Sequence, residues 1–336
     1  MSVLLIALAV GLGADAAEHK GKPARPLAPP LRVSVPLAKN RPLLSNPQVS
    51  FDGKRVWVAR TAPVSGSLTQ GLEVMAIALA PGGKAESVDF PVPVNGNQVR
   101  LLLSNNDKYL AVLSQGELWI KTLGEVAEPR RLYPPAQGET PLGSGLSQAS
   151  FAPDATWLLV KSPMGWGRLA VATGEFGGLS LPAIDLSTGL SIGPSCGCIA
   201  LSSDGLHAAL VKPQAGQSYL NGSPVLALNI STGFAQGLDS EHLYSEVLFL
   251  PDGHPLAEDA TGALWLLRPK SRLPYFTPPP PPKHSTIDGY HINFAATKLA
   301  WTVTTDLEGK SPHAELWVAG APPTPALPKG TRAGED

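Results

Sequence analysis

The feature that most constrains this chain is a repeat. A short apolar strand, an Asp-centred turn and a second apolar strand recur six times along 336 residues. The first copy reads Val49-Ser-Phe-Asp-Gly-Lys-Arg-Val-Trp-Val58, and the fourth reads Ile199-Ala-Leu-Ser-Ser-Asp-Gly-Leu-His-Ala-Ala-Leu210. Aligned on Phe51, Leu103, Phe151, Leu201, Phe249 and Phe294, the copies are spaced by 52, 48, 50, 48 and 45 residues. A steady period of this size is the signature of a propeller or a solenoid. No long helical periodicity occurs, which excludes a helical solenoid.

A second landmark follows each turn. It is a short apolar strand, often led by a charged residue, as in Glu117-Leu-Trp-Ile120, Arg168-Leu-Ala-Val171 and Glu315-Leu-Trp-Val318. A weaker fourth strand is visible at Ala85-Glu-Ser-Val-Asp-Phe90. Four strands per unit of this length make a propeller blade. Asp-Gly at 52–53, 204–205 and 252–253 supplies the residues that tight hairpin turns need. The sixth copy lacks the Asp, and its Ala-Thr-Lys turn is degenerate.

Over about residues 45 to 319 these units resemble the TolB-type β-propeller repeats, which read apolar-Ser-x-Asp-Gly-Lys-apolar and then a Glu-Leu-Trp-Val-like strand. The resemblance implies an all-β fold: one six-bladed β-propeller with four-stranded antiparallel blades. No α/β domain of the TolB kind precedes the repeats in the sequence, so the resemblance implies a propeller and does not carry over TolB's own function. Residues 31–45 are left over before the first inner strand. Leu31-Arg-Val-Ser-Val35 is predicted to be the outermost strand of the last blade, closing the ring and covering its edge.

Charged residues are 16% of the chain, against roughly 25% on average. The 35 prolines and 34 glycines suit many short strands joined by turns. A net charge of -1 without a basic block excludes nucleic acid as a partner. Val3 to Leu12 is an apolar run, and Ala14-Asp15-Ala16 fits a small-x-small cleavage site. A signal peptide over 1–16 and export to a periplasm or cell surface are expected. The run is too short to span a bilayer, and no later segment spans one. A Pro-rich linker over 17–30, a propeller over 31–319 and a disordered Pro-rich tail over 320–336 complete the organisation.

Two places are candidates for a site. Long loops between second and third strands, and between blades, are expected on one face: Thr61 to Gly71, Leu132 to Gln148, Lys212 to Ser223, Lys270 to Tyr290 and Thr304 to Ala314. Tyr219, Tyr244 and Tyr290 place aromatics in long loops, and Trp166 places one in a turn between strands, where a partner would meet them. The five prolines at 278–282 read as a stiff spacer between blades five and six.

The second place is the channel mouth. Gln48, Arg100, Gln148, Cys198, Glu246 and His291 each sit three residues before a key apolar residue and should ring that mouth. Cys198, Glu246 and His291 could in principle ligate a transition metal, but no metal or cofactor is expected from so sparse a set. Cys196 and Cys198 could form a small disulfide ring in an exported protein. Gly193-Pro-Ser-Cys-Gly197 matches a nucleophile elbow in letters only, because it leads into an inner strand and not a helix. The sequence therefore predicts a non-catalytic, exported scaffold that binds a protein partner through its loop-rich face, within a bacterial envelope complex. The alternatives are a receptor for a small ligand or glycan at the channel mouth, and a metal-dependent hydrolase or lyase.

Overall fold

The computed structural model describes residues 29–35, 45–63, 70–80, 85–94, 99–134, 145–162, 165–179, 199–211, 223–269, 271–305 and 313–324. The expected signal peptide, nearly all of the linker and most of the tail lie outside the described residues, as do Cys196, Cys198 and Tyr219.

Every element among the described residues is a strand. β1 (Leu31–Val35) comes first. The first blade is β2 (Gln48–Val49), β3 (Arg55–Pro63), β4 (Gln70–Ala78) and β5 (Ala85–Val94). The second is β6 (Arg100–Leu103), β7 (Tyr109–Ser114), β8 (Glu117–Thr122) and β9 (Arg130–Tyr133). The third is β10 (Gln148–Phe151), β11 (Trp157–Ser162), β12 (Gly165–Ala170) and β13 (Phe176–Gly178). The fourth holds β14 (Ile199–Leu201), β15 (His207–Val211), β16 (Ser223–Asn229) and the start of β17 (Ala235–Phe249). The fifth holds the rest of β17, then β18 (Pro255–Asp259), β19 (Leu264–Arg268) and β20 (Ser271–Phe276). The sixth is β21 (Ser285–Ile292), β22 (Lys298–Thr305) and β23 (His313–Gly320). β1 pairs antiparallel with β23 over five residues, from Leu31 opposite Val318 to Val35 opposite Ala314, as the outermost strand of that blade.

Each blade is an antiparallel sheet, so its inner strand runs down the central axis into the Asp-centred turn. That turn is built the same way five times. A side-chain oxygen of Asp52, Asn106, Asp154, Asp204 or Asp252 accepts from the backbone N–H two residues on, at 2.8 to 3.2 Å. The next residue is left-handed in all six turns: Gly53, Asp107, Ala155, Gly205, Gly253 and Ala296 have φ between +49° and +85°. The sixth turn works without its Asp. Asn293, in the place of Ser50, accepts from Thr297 N and Lys298 N at 2.9 and 2.8 Å.

The Glu-Leu-Trp landmark also has a local cause. The indole N–H of Trp119 donates to Glu117 two residues earlier at 2.9 Å, and Trp317 does the same to Glu315 at 2.8 Å. The fifth blade has Ala263 in the Glu position, and there Trp265 donates to Asp259 at 2.7 Å. Outer-strand arginines cover two of these rings: Arg32 lies 4.0 Å from the Trp317 centroid and Arg272 lies 3.9 Å from Trp265.

The core is divided among the blades. Six apolar clusters fill six seams, one between each blade and the next, including the seam between the sixth and the first. In the last of these, Val35, Leu316 and Val318 pack against Val49, Val56 and Met75.

Two expectations need correction, and one connection goes beyond the sequence reading. Lys270 to Tyr290 is not a loop, because β20 and β21 occupy most of it; a short connection, residues 277–284, carries the polyproline run between them. Blades four and five are joined by one continuous strand, β17, which pairs with β16 at its start and β18 at its end. The apolar alignment also slips by two residues in the first and sixth blades. Val49 and Ile292, not Phe51 and Phe294, occupy the position of Leu103, as their partners Val56, Leu299 and Leu110 show. Phe51 is 46% exposed and lies in the turn itself. A slip of two leaves the strand alternation intact, so periodicity does not reveal it.

Candidate functional site

An inner strand pairs with a neighbour on one side only. Its other edge faces the channel, and those backbone groups need partners from elsewhere. Side chains from the preceding blade supply several of them. His291 Nδ1 on the sixth blade accepts from Val49 N on the first at 3.0 Å. Gln48 Oε1 on the first accepts from Leu103 N on the second at 3.3 Å. Glu246 Oε2 on the fifth accepts from Tyr290 N on the sixth at 3.4 Å. Arg100 on the second reaches further: it donates to Gln148 Oε1 on the third at 3.2 Å and to the Ile199 carbonyl on the fourth at 3.1 Å.

The two-residue slip sets the depth of these side chains. Arg100, Gln148 and Glu246 share one level at the mouth, whereas Gln48 and His291 stand one level deeper. Asn46 and Gly289 hold the mouth level on the first and sixth blades. Asn46 Nδ2 donates to Glu246 Oε1 at 2.6 Å, so it crosses the whole sixth blade to reach the fifth. Gly289 makes that crossing possible. A Cβ on residue 289 would lie 2.0 Å from Asn46 Oδ1, and the backbone there is left-handed at φ +53° within a β-bulge.

Beneath these ties lies a cavity of about 150 Å³. Asn46, Arg100 and Glu246 line its upper part, His291 and Ser150 its middle, and Asn105 and Phe294 its turn-side end. The space is below the roughly 300–1,000 Å³ of a drug-sized site. Burial pulls the His291 imidazole down to about 4, so the ring is neutral at pH 7. Because Nδ1 accepts from Val49 N, the ring proton sits on Nε2. Burial also pulls the Arg100 guanidinium down to about 10, opposed by the charge of Glu246, and it stays protonated at pH 7. Gln148 is 3% exposed, and its Nε2 has no hydrogen-bond partner among the described residues.

No family model and no curated protein matches the chain. Among solved structures it is similar to a candidate TolB from Agrobacterium tumefaciens, at 14% identity and a TM-score of 0.47, over 71% of this chain and 87% of that one. The propeller itself rests on the strand pairing described above.

The aromatic candidates do not converge. Tyr244 and Tyr290 are buried at 0% and 2% exposure, which removes them as contacts for a partner on the loop face. The Tyr290 hydroxyl donates to the Gly262 carbonyl at 2.6 Å. The Tyr244 hydroxyl donates to Asp239 Oδ2 at 2.6 Å. Burial first, and the carboxylate second, push the Tyr244 phenol up. Trp166 is half-buried in the seam between blades three and four, with Lys161 Nζ 5.6 Å from its ring centroid.

Three features escaped sequence reasoning. Asn46 was hidden by the register slip, although it stands two residues before Gln48 in the same alternation. Asp239 also gathers His242, with Nδ1 at 2.8 Å and the backbone N–H at 3.2 Å, around the bend of β17. Finally, five of the six exposed large apolar residues among the described ones share a face; the sixth, Leu243, lies in the bend of β17 on the mouth side. Phe51 and Leu206 lie in inner turns, Val126 and Phe234 in third-to-fourth-strand turns, and Leu31 begins β1. Strand direction places all five on the turn side of the ring. Phe234 is 66% exposed, and Phe51 stacks 6.2 Å from Phe294 beside the lower channel opening.

Proposed function

We propose that this protein is a non-catalytic interaction module that docks a protein partner on the turn side of its propeller. The observation that carries this reading is the set Phe51, Val126, Leu206 and Phe234, four exposed large apolar side chains set on a rigid ring of tight turns. Apolar side chains gathered on one face mark interaction sites, whereas isolated ones need no explanation. The sequence pointed to the opposite, loop-rich side; the exposed side chains among the described residues favour the turn side. A non-catalytic role agrees with the channel chemistry, since His291, Gln48, Glu246 and Arg100 each bond to neighbouring inner strands. The same reading takes residues 1–16 as an export signal and the envelope as the place of action.

The test is a crosslinked pull-down of tagged protein from its native envelope fraction, comparing wild type with Phe51→Ser, Phe234→Ser and the double variant. A dominant partner should be captured by wild type and lost from the double variant, with unchanged thermal stability. Equal capture by all four proteins would move the interface off this face.

A further inference from the structure

The proline run between the fifth and sixth blades presents a surface that docking on the turn face does not use. Pro278 to Pro282 follow β20, and Lys283 and His284 lead into β21. Because β21 descends from the mouth into its turn, this connection lies on the mouth side of the ring. A proline ring holds φ at about −65°, and a following proline holds ψ in the extended range. Pro278 to Pro281 carry both restraints, so the run forms a polyproline II helix with three residues per turn. Residues three apart then share an edge. Pro278 is buried and Pro281 half-buried, so their edge rests on the propeller. The other two edges face water: Pro280 and Lys283 are exposed on one, and Pro282 is exposed and Pro279 half-buried on the other. We propose that Pro279, Pro280, Pro282 and Lys283 form a docking ridge for a second partner protein, one whose groove is walled by aromatic rings and carries a carboxylate at one end.

Shape, anchoring and charge support the same partner. Aromatic-lined grooves recognise proline-rich segments because the extended helix is formed beforehand. Here both ends are held as well. Phe276 before the run and Tyr290 beyond it are buried in the seam between blades five and six, with ring centroids 6.3 Å apart. Ser285 Oγ lies 2.8 Å from Thr305 Oγ1 at the start of β21. A partner therefore has little of this ridge to order on binding. No carbonyl of Pro278 to Pro282 accepts a hydrogen bond among the described residues, so indole and phenol donors of a groove can meet them. Lys283 makes no ion pair among the described residues. A threefold helix offers similar edges in either direction, and a carboxylate opposite Lys283 fixes which way it lies. Reach alone does not require prolines. An outer strand and the next inner strand are separated by about 14 Å, a distance that any extended segment of this length covers.

Crosslinked capture by the tagged full chain, from an extract of the cells that make it, tests this with a synthetic peptide of residues 277–284 as competitor. A control peptide has alanine in place of every proline. One captured protein should be displaced by the proline peptide and not by the control. The same protein, purified, should bind the wild-type chain in titration calorimetry. The triple variant Pro279→Ala, Pro280→Ala, Pro282→Ala should bind it at least about tenfold more weakly. Lys283→Glu leaves every proline in place and should weaken binding about threefold or more, which decides the matter if the triple variant melts at a lower temperature. The Phe51→Ser, Phe234→Ser double variant should bind it as wild type does, which separates this ridge from the turn face. Capture of no protein that the proline peptide displaces, equal displacement by the control peptide, or undiminished binding by Lys283→Glu would each overturn the proposal.

Discussion

Position 289 is where one hydrogen atom decides a long-range contact. Gly289 leaves room for the Asn46 amide, and Asn46 in turn holds Glu246. Gly289→Ala adds both a 2.0 Å collision and left-handed strain, and should cost about 2–3 kcal/mol in denaturant unfolding. Asn46→Ala in the same chain removes the obstacle, so the double variant should lose less than the sum of the singles. Strictly additive losses would show that the two residues do not meet.

His291 makes a separate prediction at this scale. Its folded value near 4 lies below the ordinary 6.5, so the unfolded chain binds more protons between those values. The neutral ring therefore supports the fold above about pH 6.5, and that support is lost as pH falls toward 4, up to about 3 kcal/mol. His291→Gln retains an acceptor for Val49 N and cannot titrate. Its stability should fall less than that of wild type between pH 7 and about pH 4.5. Parallel curves for the two proteins would contradict the assignment.

At the scale of the element, the inner turn is held by side chain to backbone bonds, and the residue that supplies them can move. Five turns use the Asp or Asn before the left-handed residue; the sixth uses Asn293. Asn293 is fully buried, and its Nδ2 also donates to the Phe51 carbonyl of the first blade at 2.9 Å. Asn293→Ala leaves several backbone groups without partners and should destabilise the protein by about 2–4 kcal/mol. Asp154→Ala, at an exposed turn, should cost about 1 kcal/mol or less. Chemical denaturation of both variants checks the ranking. The element β17 departs from the pattern in another way: Asp239 and Tyr244 anchor a bend that lets one strand serve two blades.

At the scale of the whole molecule, stability belongs to the seams. No blade encloses a core alone, and each apolar face is covered by the next blade. β1 contributes Val35 to the seam between the sixth and first blades and covers the edge of β23. Removal of residues 1–35 should lower the midpoint of thermal unfolding by about 5 °C or more. It should also promote self-association through the bared edge of β23. An unchanged midpoint and a monomeric profile in light scattering would make β1 dispensable.

Local rules were legible in the sequence because each is written in neighbouring residues. Asp-Gly turns, Glu-Leu-Trp strands and the period near 50 gave six blades, four strands in each, and the strand supplied by Leu31 to Val35. The polar residues of the channel were also visible as a set. Their depth was not, because a slip of two residues preserves every alternation and is settled by turn length and cross-strand pairing. Nor were the burial of Tyr244 and Tyr290, the crossing of Asn46 over Gly289, or the gathering of Phe51, Leu206 and Phe234 on one side. Each of these joins blades far apart in the chain, and their meeting is decided by how six similar sheets pack around an axis. A repeat determines its unit; the relations among units exist only in the closed arrangement.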